Sequence, residues 1–432
     1  MPFHRTRTIR REKHVEQLHA QMDHRAARGM KPSDQQHRRA VTLLSLAAFA
    51  SAASARLCDP MLPDLARTFL ASPGETAQVI SSFSVAYGVL QMFFGPLGDR
   101  LGKYRLIAWT TLACTLGSLG AMLAGSLHWL MLSRLLTGAS AAGIIPLSMA
   151  WIGDTITYEH RQATLARFLA GQIVGVIGGQ FIGGVFTDTL GFRWAFGFMA
   201  LTYLVVGLWV LAESRNNAST QHVHNAQGGK SGGVLTQCRA VLSEPWARVI
   251  LLTVFVEGLV VFGTLAFVPS YLHHRFGLSL TMAGAVMATF GLGGFSYILF
   301  ARQFVSNFGE VGLARMGGLL IGLAWLILAL GDSWSWALPA CTLVGLGYYM
   351  LHNTLQTNAT QMAPQVRGTA VSLFASAFFL GQSLGVVLAS MLLSQAGMAA
   401  LFVVAAMTLP VIGLAFSRAL KVHHQVLNPG MP

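Results

Sequence analysis

Residues 95–105 read GPLGDRLGKYR, a glycine-rich and charged segment in an otherwise apolar chain. The apolar runs on either side, at about 77–94 and 106–124, are each close to the length that crosses a bilayer. The segment is therefore predicted to be a loop of about ten residues that joins two membrane helices at one water interface. Its three cations, Arg100, Lys103 and Arg105, favour the cytoplasmic side.

The composition of the chain indicates a polytopic membrane protein. Of its 432 residues, 53% are hydrophobic and only 10% are charged, whereas soluble domains carry about a quarter charged residues. The net charge is +13, but most of the 29 Lys and Arg lie in segments that one consistent topology places inside. This bias follows the positive-inside rule, so the partners predicted are the lipid bilayer and a small-molecule substrate, and not nucleic acid. The chain is expected to be monomeric.

Hydropathy predicts an all-α protein with twelve transmembrane helices, called spans 1 to 12 below. An even number of spans places both termini in the cytoplasm of a multi-pass plasma (inner) membrane protein. The predicted spans are residues 41–66, 75–98, 106–126, 129–153, 166–186, 194–212, 247–272, 280–302, 313–331, 336–361, 369–394 and 398–417.

A polar, glycine-rich interruption divides the spans into two sets of six. The predicted domains are a basic cytoplasmic tail at 1–40, an N-terminal half at 41–212, a cytoplasmic linker at 213–246, a C-terminal half at 247–417 and a cytoplasmic tail at 418–432. The two halves resemble copies of each other, because residues such as Trp129 and Trp336 recur at an offset of 206 or 207 residues. The segment that corresponds to 95–105 keeps Gly309 but has Val305 opposite Asp99.

The segment at 95–105 resembles the signature loop between helices 2 and 3 of the major facilitator superfamily. That resemblance implies two pseudo-symmetric six-helix halves that rock about a site at the middle of the membrane. It also implies that Asp99 and the cations latch span 2 against spans 4 and 11, with Asp154 as the expected partner of a cation. The residues that match the signature are Gly95, Leu97, Asp99, Arg100, Gly102 and Lys103; Tyr104 departs from it and Arg105 follows.

Three further elements resemble the proton-coupled drug antiporter and efflux branch of that family. Span 1 contains Asp59-Pro60-Met61-Leu62-Pro63, span 4 contains an R-x-x-x-G-x-x-x-A-G pattern that begins at Arg134, and span 5 carries a glycine stripe. In span 5, Gln180 stands where the antiporter motif has proline. Close helix packing explains the glycines equally well without export. The predicted packing glycines are Gly138, Gly143, Gly175, Gly179, Gly183 and Gly184.

No catalytic constellation is visible in the sequence, so the chain is predicted not to be an enzyme. There is no Walker A loop, and no pair of its four cysteines has the spacing of a metal site. Neither a metal nor a cofactor is expected, and the proton is the expected coupling ion.

Four ionisable residues inside the predicted spans are the main functional candidates: Arg56, Asp59, Arg134 and Glu257. The family resemblance implies that spans 1, 4, 7 and 10 line one cavity, which these four charges can all face. A carboxylate in a water-poor cavity holds its proton more tightly. Glu257 has no cation within a turn of its own span and is therefore the predicted proton carrier. Asp59 is predicted to be a gate or a substrate anchor.

Structural roles are the alternatives for these charges. Arg56, Asp59 and Arg134 could form a permanent ion network, and Glu257 could be a hydrogen-bonded structural acid. Span 10 adds a polar run with three further cavity candidates, His352, Asn353 and Gln356. Hydrogen bonds between helices would explain that run equally well.

The function predicted from these features is proton-coupled efflux of a small organic compound, drug-like or metabolite, by alternating access. Uptake by proton symport, or facilitated diffusion without a coupling ion, remains open within the family. A non-transporting membrane receptor or scaffold with the same fold is a further alternative, which predicts ligand binding without flux.

Overall fold

The structure, a computed structural model, describes residues 32–217, 220 and 233–427, which are almost entirely helical. The predictions made for residues 1–31, for the glycine-rich middle of the linker and for residues 428–432 lie outside the described residues. The helices of spans 1 to 6 are Pro32–Arg56 with Leu62–Phe69, Pro73–Leu101, Lys103–Met122, Leu127–Ala141 with Ile144–Thr155, Tyr158–Thr189 and Phe192–Asn216. Those of spans 7 to 12 are Pro245–Glu257 with Gly263–Leu265 and Val268–Phe276, Leu280–Leu330 for spans 8 and 9, Ala337–Ala359 and Arg367–Leu427 for spans 11 and 12.

The twelve predicted crossings are confirmed for the described part of the chain. Eight helices are long and apolar enough to cross a membrane. Two of them, of 51 and 61 residues, are each broken at one glycine with non-helical backbone angles, Gly309 and Gly397. At 1.5 Å per residue each would be more than about 75 Å long, so each supplies two crossings. Lys103–Met122 and Ala337–Ala359 supply the remaining two.

One predicted loop is wrong, and helices also occupy parts of the segments predicted to be the N-terminal tail and the linker. Residues 95–101 do not form a loop, because the helix of span 2 runs through Pro96 to Leu101 and only Gly102 separates it from span 3. Gly102 has a φ of 88°, which favours glycine, so a single residue turns the chain. The helix of span 1 begins at Pro32, inside the predicted tail. The predicted linker contains a ten-residue helix, Val234–Ser243.

The internal repeat extends to the backbone conformation. All the residues with positive φ in the described ranges form three pairs at an offset of 206 or 207 residues. The pairs are Leu70 with Gly277, Gly102 with Gly309, and Gly191 with Gly397. Each pair ends corresponding helices in the two halves, which supports the pseudo-symmetry inferred from the sequence.

Each half has its own hydrophobic core, and the halves meet mainly along two helix pairs. One buried cluster is built mainly from spans 1 to 6 and another from spans 7 to 12. Span 2 packs on span 11, where the rings of Tyr87 and Phe379 stack 4.0 Å apart. Span 5 packs on span 8, where Gly184 and Gly284 face the backbone of the other half.

Glycine allows the closest helix approaches in both halves. A Cβ at Gly345 would overlap the carbonyl oxygen of Phe290, as one at Gly138 would overlap that of Phe83. Gly345→Ala should therefore destabilise the protein by about 1–3 kcal/mol, because overpacking forces the helices apart. Thermal unfolding followed by tryptophan fluorescence should show a lower midpoint. Gly153→Ala is the control, since nothing lies within 4 Å of that position; an equal midpoint for both variants would contradict the packing role.

Candidate functional site

The central feature of the site is a carboxylate–imidazole pair between spans 7 and 10. Oε2 of Glu257 lies 2.7 Å from Nδ1 of His352, which is hydrogen-bonding distance. The Glu257 side chain is fully buried, and its Oε1 has no hydrogen-bond partner among the described residues. Sequence reasoning named both residues separately, and the structure brings them together.

Aromatic rings surround this pair. The His352 ring stacks on Tyr348 at 4.8 Å and meets the edge of Phe378 at 5.0 Å. Phe374 lies on a further side at 5.4 Å. Because aromatic surroundings exclude water, a change of charge on the pair acts in a low-dielectric medium, where electrostatic interactions are strong.

The second part of the site is a buried ion pair at the break in span 1. The first helix of span 1 ends at Arg56, and Asp59 opens a short 3₁₀ turn that contains Pro60. Arg56 Nη1 lies 3.8 Å from Asp59 Oδ2, and Gln180 Nε2 donates to the same oxygen at 2.9 Å. Gln180, the residue that replaces the motif proline, is therefore a polar partner of Asp59.

Arg56 also connects the two halves. Its Nη2 donates to Oε1 of Gln382 in span 11 at 2.9 Å, and Nε2 of Gln382 donates to the hydroxyl of Ser84 in span 2 at 2.8 Å. The guanidinium lies over the ring of Phe262, 4.0 Å from its centroid. Gln382, Ser84 and Phe262 were not found from the sequence, although a glutamine in an apolar span was a usable signal.

Arg134 does not form an ion pair with Asp59 within 4 Å, although it lies close enough to interact with it electrostatically. The sequence interpretation grouped all three, but no carboxylate of the described residues lies within 4 Å of the Arg134 guanidinium. Its Nη1 donates to Ser54 at 3.2 Å, and its guanidinium lies 4.3 Å from the centroid of Phe83. Residues at a similar depth in the membrane need not contact one another, because the rotation of each helix about its axis decides where its side chains point.

The polar run of span 10 divides into members with different neighbours. His352 contacts Glu257, whereas Asn358 donates to Glu310 in span 9 at 3.1 Å. Asn353 and Gln356 are half-buried, and Thr357 is exposed. The members of the run therefore differ in burial by the face of span 10 that they occupy, since Thr354 and Asn358 are buried while Thr357 is exposed.

The signature residues form a charged contact between spans 2, 3 and 4. Lys103 Nζ lies 2.6 Å from Asp154 Oδ2 and 3.0 Å from Asp99 Oδ1. Gly98 allows this approach, because a Cβ there would overlap Leu147 of span 4. The structure therefore places the predicted partner, Asp154, on a cation of this segment. We call the end of the bundle that carries this contact, together with the exposed cations Arg100 and Arg105, the basic end.

The other signature residues do not join this contact. Arg100 and Arg105 are exposed, Leu97 is partly exposed, and nothing lies within 4 Å of the Cβ position of Gly95. Asp99 is largely exposed and pairs with Lys103, so its ion pair does not reach span 11, against which the family resemblance also implied a latch.

The predicted packing glycines contact neighbouring helices. Three glycines of span 5 face the backbone of span 1: Gly175 at Phe49, Gly179 at Ala53 and Gly183 at Leu57. The fourth, Gly184, faces Leu280 of span 8. In span 4, Gly138 faces the backbone of Phe83 and Gly143 faces the Phe94 ring. Such contacts let whole helices approach without intervening side chains. They position Asp59 and Gln180 across the narrow span 1–span 5 interface.

Comparison with known proteins agrees with this architecture. The sequence profile of the Major Facilitator Superfamily matches residues 44–386. The uncharacterized MFS-type transporter YwfA of Bacillus subtilis (strain 168) is 26% identical over 284 residues, which cover 65% of this chain and 66% of YwfA. The chain thus spans just under two thirds of the length of that relative.

Two other similarities concern export and fold. The multidrug export protein EmrB of Escherichia coli (strain K12) is 29% identical over 153 residues, 35% of this chain and 30% of EmrB. The crystal structure of the nucleoside transporter NupG aligns with a TM-score of 0.72 at 15% identity, covering 88% of this chain and 98% of NupG. A profile match over most of the chain, together with twelve crossings in two repeated halves, shows that this protein belongs to the major facilitator superfamily.

Proposed function

We propose that the protein is a secondary transporter of the plasma (inner) membrane that exports a small organic compound in exchange for protons. The buried Glu257–His352 pair carries this proposal. The basic end is proposed to face the cytoplasm, because cations favour that side.

The geometry of the pair suits reversible protonation. Two titratable groups 2.7 Å apart in an apolar, aromatic surrounding can share one proton, and the loss or gain of that proton changes the local charge by one unit. A charge at this depth is costly unless it is compensated, so protonation and conformation are expected to influence each other. The unpartnered Oε1 of Glu257 offers a place where a proton can arrive or leave.

The two ends of the bundle differ in how tightly the halves are joined around the Glu257–His352 pair, which supports transport by alternating access. His352 keeps 15% of its side-chain surface, and Thr357, which lies nearer the basic end on the same span, is exposed. At the opposite end, reciprocal hydrogen bonds of 3.0 and 3.1 Å join Ser81 and Ser383 across the halves. Asp188 of span 5 also accepts hydrogen bonds from the start of span 8, at Leu280 and Thr281. These contacts join the two halves at the end opposite the basic end, as one closed state of an alternating-access transporter requires.

Export is favoured over uptake by two similarities. Spans 1, 4 and 5 resemble elements of drug antiporters, and the relative EmrB is named a multidrug export protein. Proton symport and uncoupled diffusion are the competing functions within the family, and a receptor or scaffold without transport is the competitor outside it.

A single assay separates these functions. The purified protein is placed in liposomes with a pH-sensitive dye inside, and outward gradients of ethidium, chloramphenicol and salicylate are imposed in turn as cationic, neutral and anionic probes. An antiporter acidifies the lumen as the probe leaves, a symporter makes it more alkaline, and a facilitator moves the probe without a pH change. Binding of the probes without flux would support the receptor alternative and contradict the proposal.

A further inference from the structure

We propose that Phe262 couples the protonation of the Glu257–His352 pair to the closure at Arg56, an inference that rests on the function proposed above. Phe262 is not ionisable and does not hold the proton. It is a positioning residue, because its ring holds the Arg56 guanidinium that joins the two halves.

The first observation is the place of Phe262 in span 7. The α-helix ends at Glu257, and the next five residues, Gly258–Phe262, form a π-helical turn. Such turns are uncommon and occur frequently at functional sites. This turn begins directly after the proposed proton carrier and ends at the aromatic ring under Arg56. The two groups are therefore linked by a π-helical stretch of span 7.

Packing holds this turn against span 11. A Cβ on Gly258 would overlap the carbonyl oxygen of Phe378, and one on Gly263 would approach the backbone of Gly385 to 2.6 Å. With both ends of the turn in backbone contact with a helix that also carries Gln382, a shift of the turn is transmitted to span 11.

The second observation is that both members of the Glu257–His352 pair are connected to Phe262. Glu257 is connected to it along the chain by the π-helical turn. The His352 ring contacts Tyr348 and Phe378, and these two rings contact Phe262 with centroids 5.1 and 5.4 Å away. A change in the position of either partner therefore moves the same ring.

The third observation concerns symmetry. Arg56 and Phe262 are 206 residues apart, which is the offset of the internal repeat, so they occupy corresponding positions in spans 1 and 7. They also touch, with the guanidinium carbon 4.0 Å from the ring centroid. Two corresponding residues can touch only near the axis that relates the halves, which is where a relative rotation of the halves must be controlled.

Tyr348 of span 10 is an ionisable side chain in direct contact with the pair, because its ring stacks on His352. Tyr348 and Tyr349 also interact electrostatically with Arg56 of span 1, whose ion-pair partner is Asp59. Span 11 presents the rings of Phe374 and Phe378 to His352. Arg56 is the cation among these neighbours, and Phe262 lies between it and span 10. A π face attracts a cation most strongly when water is excluded.

The test measures opening of the end opposite the basic end. Spin labels are attached at Leu123→Cys and Leu330→Cys, exposed residues at the ends of spans 3 and 9 that correspond in the repeat, after replacement of the native cysteines by alanine. Electron–electron distance measurements in lipid nanodiscs are made at neutral and at mildly acidic pH. The parent protein is expected to change its distance distribution with pH.

Four variants decide the inference. Phe262→Leu keeps an apolar side chain but removes the π face, so it should lose the pH response, while Phe262→Tyr should keep it. Phe290→Leu is the matched control, because that ring also packs on Phe262 and Tyr348 but does not lie under Arg56. The proton-site variant Glu257→Gln should lose the response.

The outcomes separate the inference from the function on which it rests. If Glu257→Gln loses the pH response but Phe262→Leu keeps it, the role of Phe262 is overturned and the proton site stands. If Phe290→Leu or Phe262→Tyr loses the response as fully as Phe262→Leu, general packing explains the effect and the coupling role is wrong. A response that survives in Glu257→Gln, or that is absent from the parent, contradicts the proposed proton site and the inference together.

Discussion

Glu257→Gln is expected to abolish proton-coupled transport while leaving the protein folded. Glutamine has nearly the shape of glutamate and can still bond to His352, but it cannot bind and release a proton at neutral pH. Uphill movement of the transported probe under a pH gradient should fall to the rate of protein-free liposomes. Exchange of labelled for unlabelled probe, which needs no net proton movement, should persist.

The chain offers a close control for this variant. Glu310 is also a carboxylate near a histidine, with His424 at 3.8 Å and a hydrogen bond from Asn358, but it is partly exposed in span 9. Glu310→Gln should keep proton-driven transport. Full coupling in Glu257→Gln would remove Glu257 from the mechanism, and loss of exchange as well would indicate a structural acid.

Arg56→Met is expected to cause the largest loss of stability among the variants considered. It leaves Asp59, which is fully buried, without its cation in the membrane interior. Breaking a buried pair by removing one partner costs about 3–5 kcal/mol. The thermal unfolding midpoint in detergent should fall sharply, and the double variant Arg56→Met with Asp59→Asn should recover part of the loss because no unpaired charge remains.

An exposed pair with the same spacing provides the comparison. Arg67 and Asp64 are also three residues apart, with atoms 3.2 Å apart, but the Arg67 side chain is 70% exposed. Arg67→Met should change stability by only about 0–1 kcal/mol, because the Arg67 guanidinium is largely solvated and the Asp64 carboxylate keeps partial access to water. Equal midpoints for Arg56→Met and Arg67→Met would show that the Arg56–Asp59 pair contributes no more than a surface ion pair.

The spans were predictable because apolar length is a property of the sequence alone. The twelve crossings follow from it. The internal repeat was predictable for another reason, because residues such as Trp129 and Trp336 recur at a nearly constant offset. The ends of helices were harder. Pro96 and the glycines of 95–102 suggested a loop, yet the helix continues to Leu101, where its own hydrogen bonds satisfy the backbone beyond the apolar stretch.

The partners within the site were not predictable from spacing. Glu257 and His352 were both candidates, but their contact depends on the rotation of spans 7 and 10, and the irregular turn after Glu257 has no sequence signature. Phe262 is one apolar residue among many in its span and gave no signal. Gln180 was noted only because it stands where the antiporter motif has proline, and Gln382 was not singled out at all. Each bonds to the Arg56–Asp59 pair, so an amide in an apolar span was a usable signal that was missed for Gln382.

The central claim, that Glu257 carries the proton that is exchanged for the exported compound, is tested most directly by lumenal pH in liposomes. An outward gradient of the probe that the parent transports fastest is imposed on parent and Glu257→Gln vesicles in parallel. We expect the lumen of parent vesicles to acidify in step with probe efflux and that of Glu257→Gln vesicles to stay unchanged. Equal acidification in both, or alkalinisation in the parent, would contradict the account.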